Sequence, residues 1–360
     1  MSQMEPIRTP HDPRLEPLCQ FLDAHAAEVD QHQRWPASQL GRCAAAGVYR
    51  WFLPPKHGGL GWDEADLMRG YLRLGAACLT TSFVITQASG ALRRIAESSD
   101  QVRDALLPDL IAGKRFATLG ISHLTTSRRH LAQPALRARE VANGFRLDGF
   151  SPWVTGSVHA DWIVTGAQLP NGQQLLAVLP TDLPGVSCDP TAKLVALSAS
   201  HTGPVRLDQV LLERQWLLAG PETDVLQGAT GAKTGGLQTS ALAIGLASRA
   251  IGFVEEEAQQ REDLAAVAEN LRHQQRQREQ ELLALAAGRP LNSSEQLRAG
   301  ANSLVLRATQ AALTAAKGTG YLQGHPAGRW CREALFFLVW SCPQPVTAAN
   351  LCELAGFESW

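Results

Sequence analysis

The chain has 360 residues, of which 45% are hydrophobic and 19% charged, and its 33 basic and 34 acidic side chains leave a formal net charge of -1. This length and hydrophobic content predict a globular protein with a sizeable core in two or three domains. The balanced charge excludes a general electrostatic attraction to nucleic acid or an anionic membrane, and the small basic clusters Arg93-Arg94 and Arg128-Arg129 are interpreted as solvated surface.

The polar, proline-containing stretch 1–13 does not have the pattern of a signal peptide. No uncharged apolar run approaches the roughly 18 residues that a membrane helix needs, so we expect no membrane insertion. The seven cysteines are scattered and lack metal-ligand spacing, which favours reduced thiols, a cytoplasmic location and no metal site.

A helical pattern extends over residues 15–110, where apolar side chains recur at three- and four-residue steps. Trp35-Pro36 interrupts it, and the proline- and glycine-rich stretch 53–61 must be a loop. Residues 79–96 are apolar or small, which predicts a buried helix. We expect an N-terminal helical domain over 1–115.

The pattern changes at Phe116, after which short apolar segments alternate with turns. Six strands are predicted, at 116–121, 145–147, 162–168, 174–180, 185–188 and 205–212. Asn143-Gly144 and Asn171-Gly172 are strong hairpin signals. Strand spacing near ten residues is typical of a sandwich or small barrel, so 116–222 is predicted to be a central β domain.

Helical patterns return at Val225 and predict long helices over 237–260, 264–287 and 292–317, followed by a last helix over 327–340. The stretch 292–295 has the spacing of a capping box. These elements predict an antiparallel four-helix bundle over 223–360. The predicted fold class is therefore α+β, mostly α, with helical, β and four-helix-bundle domains in that order.

Several segments together resemble the acyl-CoA dehydrogenase family, in the right order and over nearly the whole chain. No single motif is decisive, but the co-linear set is specific. The matching segments are 53–61, 101–113, 143–149, 153–156, 160–164, 183–186, 200–202, 205–210 and 325–334.

The resemblance implies an FAD bound between the β domain and the C-terminal bundle, usually in a homotetramer, and oxidation of the α and β carbons of an acyl thioester. The family's Trp-x-Thr motif matches Trp153 and Thr155, and its strand-end threonine matches Ser122, preceded by Ile121. An indole can cover a flavin ring edge, and hydroxyl groups can donate hydrogen bonds to it. The alternative interpretation of Trp153 is a core residue of the β domain.

The family's catalytic carboxylate has no counterpart at either of its usual positions. The dehydrogenase removes an α-proton with a glutamate nine residues after the arginine of the late helix, and that position is Ser341. The family's alternative position falls near Gly235. Neither can act as a carboxylate base, so the catalytic residue is unknown. Glu333 is interpreted as a structural ion-pair member.

Other departures concern the cofactor and the thioester. Arg261 matches a family arginine that meets the cofactor pyrophosphate, but Glu262-Asp263 follow it and would repel that group. Lys317 precedes the reduced glycine turn 318–320. Arg128 and Arg129, in the loop after Ser122, are either ligands for a phosphate or carboxylate or surface residues.

Three functions stay open. The first is an FAD-binding oxidoreductase acting on the CH–CH group of an acyl thioester, with an acyl-CoA-like substrate, an electron-transfer partner and a homo-oligomeric state, dimer or tetramer. The second is an oxygenase-type relative that reacts reduced flavin with oxygen, with His123, Ser127 and His201 as candidate site residues. The third is a non-catalytic paralogue that keeps the fold as a binding subunit.

Overall fold

The computed structural model describes residues 5–125, 134–228 and 236–357. Helices come first, an eight-stranded sheet follows, and helices return to the end of the described chain. The predicted fold class, mostly α with a central β region, is confirmed. The domain bounds at 115/116 and 222/223 stay predictions.

Six helices precede the sheet: α1 (Leu15–His32), α2 (Ala37–Ala45), α3 (Val48–Trp51), α4 (Glu64–Ala77), α5 (Leu79–Ala96) and α6 (Asp100–Ile111). As predicted, α5 is a buried helix, with 16 of its 18 residues buried. Two of its hydroxyl groups donate to backbone carbonyls about one turn earlier, Ser82 to that of Cys78 at 2.8 Å and Thr86 to that of Phe83 at 2.6 Å.

The predicted loop 53–61 turns the chain between α3 and α4. Gly58 and Gly61 have φ of 76° and 66°, and a Cβ at Gly59 would lie 1.8 Å from the Leu53 carbonyl oxygen. Only glycine fits a position that close to backbone. The loop therefore lets Trp51 and Trp62 stack at 4.2 Å between ring centroids, which fixes the start of α4.

The sheet has eight strands: β1 (Ala117–Gly120), β2 (Leu136–Val141), β3 (Gly144–Val154), β4 (Trp162–Gln168), β5 (Gln174–Pro180), β6 (Val186–Cys188), β7 (Gly203–Glu213) and β8 (Leu217–Glu222). Their order is β6-β7-β3-β2-β4-β5-β8, and β1 pairs in parallel with β4. The hairpins predicted at Asn143-Gly144 and Asn171-Gly172 join β2 to β3 and β4 to β5. Strands β2 and β8 had not been predicted.

Short α7 (Ser122–Thr125) follows β1, and after the sheet come α8 (Val225–Gly228), α9 (Leu237–Ala258), α10 (Ala265–Ala286), α11 (Ser294–Ala315), α12 (Pro326–Ala334), α13 (Phe336–Val339) and α14 (Gln344–Leu354). The capping box of α11 forms between Ser293 and Gln296, one residue later than predicted.

The single helix predicted over 327–340 is wrong: it is broken into α12 and α13, and α14 follows unpredicted. Two buried side chains of α11 stabilise the end of α13. Arg298 donates to the Trp340 carbonyl and Asn302 to the Phe337 carbonyl, both at 3.0 Å. Carbonyls at a helix end need such partners, and here they come from another helix.

Helices α4 and α9 join the N-terminal helices to the C-terminal ones. A Cβ at Gly245 of α9 would lie 2.5 Å from the Leu72 carbonyl oxygen of α4, so the absence of a side chain permits the close approach. One hydrophobic core then runs through both sets of helices and reaches the sheet at Val164 and Val178. Helix α9 is long and apolar enough to cross a membrane, but 67% of that stretch is buried inside the protein, as in a core helix.

Candidate functional site

A cavity of about 530 Å³ lies between the ends of β1 and β3, helices α4 and α5, and the α12–α13 segment. Most of its lining side chains are apolar. The aromatic rings of Phe83, Phe336 and Trp340 form one side, with Phe83 at 4.9 Å from Phe336 and 4.7 Å from Trp340 between centroids. Such a lining excludes water and strengthens the electrostatic interactions inside it.

Three of the residues that the resemblance assigned to the flavin line this cavity together: Ile121, Ser122 and Trp153. Trp153 is 42% exposed although Pro152 and Val154 on either side of it are buried. The alternative interpretation of Trp153 as a β-domain core residue is therefore wrong. An exposed indole on a cavity wall can cover an aromatic ring.

Thr155, the fourth assigned residue, does not line the cavity. It is 1% exposed, and its hydroxyl accepts a hydrogen bond from Thr202 at 3.2 Å. The Thr202 hydroxyl, which does line the cavity, is also 2.8 Å from that of Ser200. Thr202 thus occupies the wall where Thr155 was expected, and only the pairing of β3 with β7 brings the two together.

Ser341, the usual base position, lines the cavity in a left-handed backbone conformation, with φ of 43°. The alternative position, Gly235, lies outside the described residues. Among the lining residues that the structure describes, the only carboxylate is that of Glu64 on α4. The described cavity therefore offers no carboxylate at the family's position for proton removal.

Glu333 is buried away from the cavity lining and lies 3.7 Å from the Arg329 guanidinium, as expected of a structural ion-pair member. Burial raises its pKa to about 7, although the charge of Arg329 opposes that change. Arg332 does line the cavity. It donates to Asp30 of α1 at 3.0 Å and to the Val195 carbonyl at 3.2 Å, and its bond to Asp30 raises the pKa of Arg332.

The candidate histidines lie elsewhere. His123 is buried against the Gly166 carbonyl, 2.7 Å from its Nε2, and burial lowers the pKa of this imidazole. His201 lies 2.8 Å from His159 and 3.0 Å from the Gln33 carbonyl. Neither His123 nor His201 is among the described lining residues of the cavity. Ser127, Arg128 and Arg129 fall outside the described residues.

The described residues fit the two ends of an FAD molecule unequally. Its ring would fit against Trp153, Ile121 and Ser122. Arg261, expected near the pyrophosphate, donates to the Ala315 carbonyl at 2.7 Å and pairs with Glu257 at 3.7 Å and Asp263 at 3.5 Å. The fit of these residues to FAD therefore depends on those around its ring and not on Arg261. In the described part of the chain, no group of three metal-ligating side chains occurs.

Sequence patterns missed the α5 wall of the cavity. Its lining face includes Phe83, Gln87, Gly90, Arg93 and Arg94, at the steps of one helical stripe. The interpretation of Arg93-Arg94 as solvated surface is wrong for Arg94, which is 6% exposed. Polar residues at helical spacing within an otherwise apolar helix were the available signal.

One family model and several curated proteins are similar to this chain. Residues 18–114 match the family model described as acyl-CoA dehydrogenase, N-terminal domain. A probable acyl-CoA dehydrogenase, YngJ of Bacillus subtilis, is 23% identical over 63% of this chain and 61% of its own length. The oxygenase component of an FADH(2)-dependent resorcinol hydroxylase from Rhizobium sp. is 22% identical over 58% of this chain and 49% of its own. These alignments thus span between about half and three-fifths of each curated relative.

Solved structures show the same fold over almost the full chain. Butyryl-CoA dehydrogenase from Megasphaera elsdenii has a TM-score of 0.82 at 15% identity and covers 95% of this chain and 97% of its own. A glutaryl-CoA dehydrogenase from Mycobacterium smegmatis in complex with FADH2 has a TM-score of 0.78 at 16% identity, covering 98% and 97%.

Proposed function

Because the chain belongs to the acyl-CoA dehydrogenase family, we propose that it is a flavin-dependent oxidoreductase that binds FAD against Trp153 and takes an acyl thioester into the adjoining cavity. The observation that carries the proposal is the half-exposed indole of Trp153 beside Ile121 and Ser122 on one wall of that cavity. A partly exposed indole on a cavity wall offers a flat apolar face against which an aromatic ring can pack.

Each wall has a task in this proposal. Trp153 covers the ring and Ser122 offers a hydroxyl group to its polar edge. Phe83 and Phe336 keep water out, and Arg332, fixed by Asp30, holds the C-terminal wall in place. A bound flavin supplies the two-electron redox chemistry that side chains lack.

Ser341 limits the reaction that these residues can support. Oxidation of the α and β carbons needs a base within hydrogen-bond reach of the α-proton, and loss of such a base slows a reaction by about 10²–10⁴. Serine cannot take up that proton at neutral pH. We therefore expect slow dehydrogenation of ordinary acyl thioesters.

A second candidate function follows from the same residue. An oxygenase that reacts reduced flavin with molecular oxygen needs no α-proton base, so Ser341 is no obstacle to it. The similarity to the resorcinol hydroxylase oxygenase component supports this candidate, although that alignment covers only part of each protein.

Absorption spectra of the purified protein, before and after addition of FAD or FMN, test the proposal. We expect bound flavin and its visible absorption band. Anaerobic bleaching by an acyl-CoA would identify the dehydrogenase, whereas oxygen uptake only with pre-reduced flavin would identify the oxygenase. A colourless protein that takes up neither flavin contradicts both.

The proposal also includes a homo-oligomeric state, an electron-transfer partner and a cytoplasmic location. Light scattering of the purified chain tests the first. Reduction of an added electron-transferring flavoprotein tests the second, and fractionation of the producing cells tests the third. A monomer at all accessible concentrations would contradict the oligomer.

A further inference from the structure

A pair of histidines connects the sheet to the end of the first helix. His159 ends a short 3-10 helix between β3 and β4, and His201 precedes β7. The Nε2 atom of His159 lies 2.8 Å from Nδ1 of His201, and Nε2 of His201 lies 3.0 Å from the carbonyl oxygen of Gln33, just beyond α1. The indole of Trp35 stacks on His159 at 4.4 Å between ring centroids, with 19° between the planes. These contacts hold the two imidazoles in one arrangement.

The number of protons on the two rings decides whether this arrangement can exist. The Gln33 carbonyl only accepts hydrogen bonds, so Nε2 of His201 carries a proton. The neutral pair forms its mutual hydrogen bond when Nε2 of His159 donates to Nδ1 of His201, and a first added proton binds Nδ1 of His159 without breaking that bond. A second added proton puts a hydrogen on both facing nitrogens, so the bond is lost and two cations face each other.

The surroundings do not compensate for that second charge. In the described chain, neither imidazole has an acid within ion-pair distance, and burial, followed by the charge of His201, lowers the pKa of His159. The adjoining segments also carry the basic groups His32, Arg34 and Lys193. Their acids already bind arginines: Asp30 binds Arg332, Asp161 binds Arg115, and Asp189 binds Arg206.

The pair reaches the cavity through its backbone. His201 directly precedes Thr202, whose hydroxyl group lines the cavity and bonds to those of Ser200 and Thr155. The two residues that share the carbonyl bond, Gln33 and His201, have left-handed backbone conformations, with φ of 50° and 45°. Residues other than glycine keep such conformations only where neighbouring contacts hold them. Loss of the hydrogen bonds therefore favours another backbone path on both sides of the contact and displaces Thr202.

We propose that His159, His201 and the Gln33 carbonyl form an acid-sensitive latch, which holds the end of α1 against the cavity wall at Thr202 and opens when the pair takes up its second added proton. The neutral and the singly protonated pair both keep the latch closed. Because the two titrations are coupled, the second proton binds at a lower pH than the first. The latch needs neither a bound flavin nor a particular substrate, so it goes beyond the proposed function.

Proton uptake by the pair can be followed by NMR in the full chain, isotope-labelled at histidine Cε1. In the wild type we expect two coupled steps. In His159→Gln and in His201→Gln, the remaining histidine of the pair should titrate in one step, at least about one pH unit above the lower wild-type step. His57→Gln, in the loop between α3 and α4, is the matched control and should leave both steps unchanged. A remaining histidine that titrates at the lower wild-type step in either variant overturns the latch.

Hydrogen exchange, measured by mass spectrometry, tests the opening itself. Amide exchange in peptides covering 30–36 and 198–204, corrected for the intrinsic effect of pH, should become about tenfold faster as the pH falls through the lower step. The β4–β5 hairpin should stay protected, which separates opening of the latch from acid unfolding. In His159→Gln the change should be absent, because a neutral amide does not repel the charged ring of His201.

Three results would overturn the proposal. The first is protection of 30–36 and 198–204 that does not change through the lower step in the wild type. The second is an equal loss of protection in His159→Gln. The third is loss of protection in the β4–β5 hairpin at the same pH, which would make the transition a general unfolding. The proposed flavin function stands in all three cases, because it depends on other residues.

Discussion

The two walls of the cavity differ in how they are built. The β wall, with Ile121, Ser122 and Trp153, consists of strand ends whose residues stand in short recognisable motifs. The α5 wall, with Arg93 and Arg94, is one stripe of a buried helix. The residues of the first wall match short motifs of the acyl-CoA dehydrogenase family, whereas the second wall carries two arginines that no motif predicted.

Under the proposed function, the β wall binds the cofactor and the α5 wall faces the substrate. A flavin ring presents the same edges in every protein, so the residues around it can be recognised from short patterns. A substrate pocket is shaped by whichever helix face is turned inward, and that depends on packing. We therefore expect variants of the β wall to change flavin binding and variants of the α5 wall to change substrate preference.

The largest expected effect is a gain of activity at Ser341. Ser341→Glu places a carboxylate at the family's position, and we expect anaerobic flavin bleaching by acyl-CoA to become about 10²–10⁴-fold faster. Ser341→Gln has the same size without the base and should remain slow. Equal rates for the two variants would show that position 341 does not face the α-proton.

The next effect concerns Glu333, behind the C-terminal side of the cavity. Its folded pKa of about 7 lies above the ordinary value of 4.5, so the folded state holds a proton that the unfolded state releases. This contribution to stability is complete below pH 4.5 and is lost as the pH rises to about 7, by about 3 kcal/mol at most. Urea unfolding of the wild type and Glu333→Gln should show this difference, and parallel pH profiles would contradict it. Glu353→Gln, at an exposed site, is the control.

Trp153→Ala tests the β wall directly. Loss of the indole should weaken FAD binding about tenfold through lost aromatic contact, with little effect on the melting temperature because the side chain is half exposed. Trp216→Ala, outside the cavity lining, should lower stability and leave FAD affinity unchanged. Fluorescence titration measures the FAD affinity of both variants, and an equal loss of affinity in the two would count against Trp153 as part of the flavin wall.

The smallest effect comes from Asp30→Asn, which removes the partner of Arg332. The pair is partly exposed, so we expect the free energy of unfolding to fall by only about 1 kcal/mol. Asp23→Asn, also on α1, breaks a looser pair with Arg249 at 3.4 Å and should cost less. Urea unfolding measures the loss in both variants, and an equal loss in the two would contradict the stronger pairing of Asp30 with Arg332.

Much of the architecture followed from local patterns. Asn143-Gly144 and Asn171-Gly172 form the predicted hairpins because a tight turn needs only its own residues. The break between α12 and α13 was not predicted, and the side chains that bind the Phe337 and Trp340 carbonyls beyond it, Asn302 and Arg298, belong to a helix some forty residues earlier. Strand β2 was missed although its residues alternate between buried and exposed, because its exposed side is strongly charged.

By itself the sequence determined the order of helices, strands and helices, the loop 53–61, and the motif residues Ser122 and Trp153, because each depends on neighbours within a few positions. Only the tertiary structure decided that Thr202 replaces Thr155 at the wall and that Arg94 is turned inward. Both depend on which elements pack together, a choice made by the free energy of the whole core and not written in any short segment.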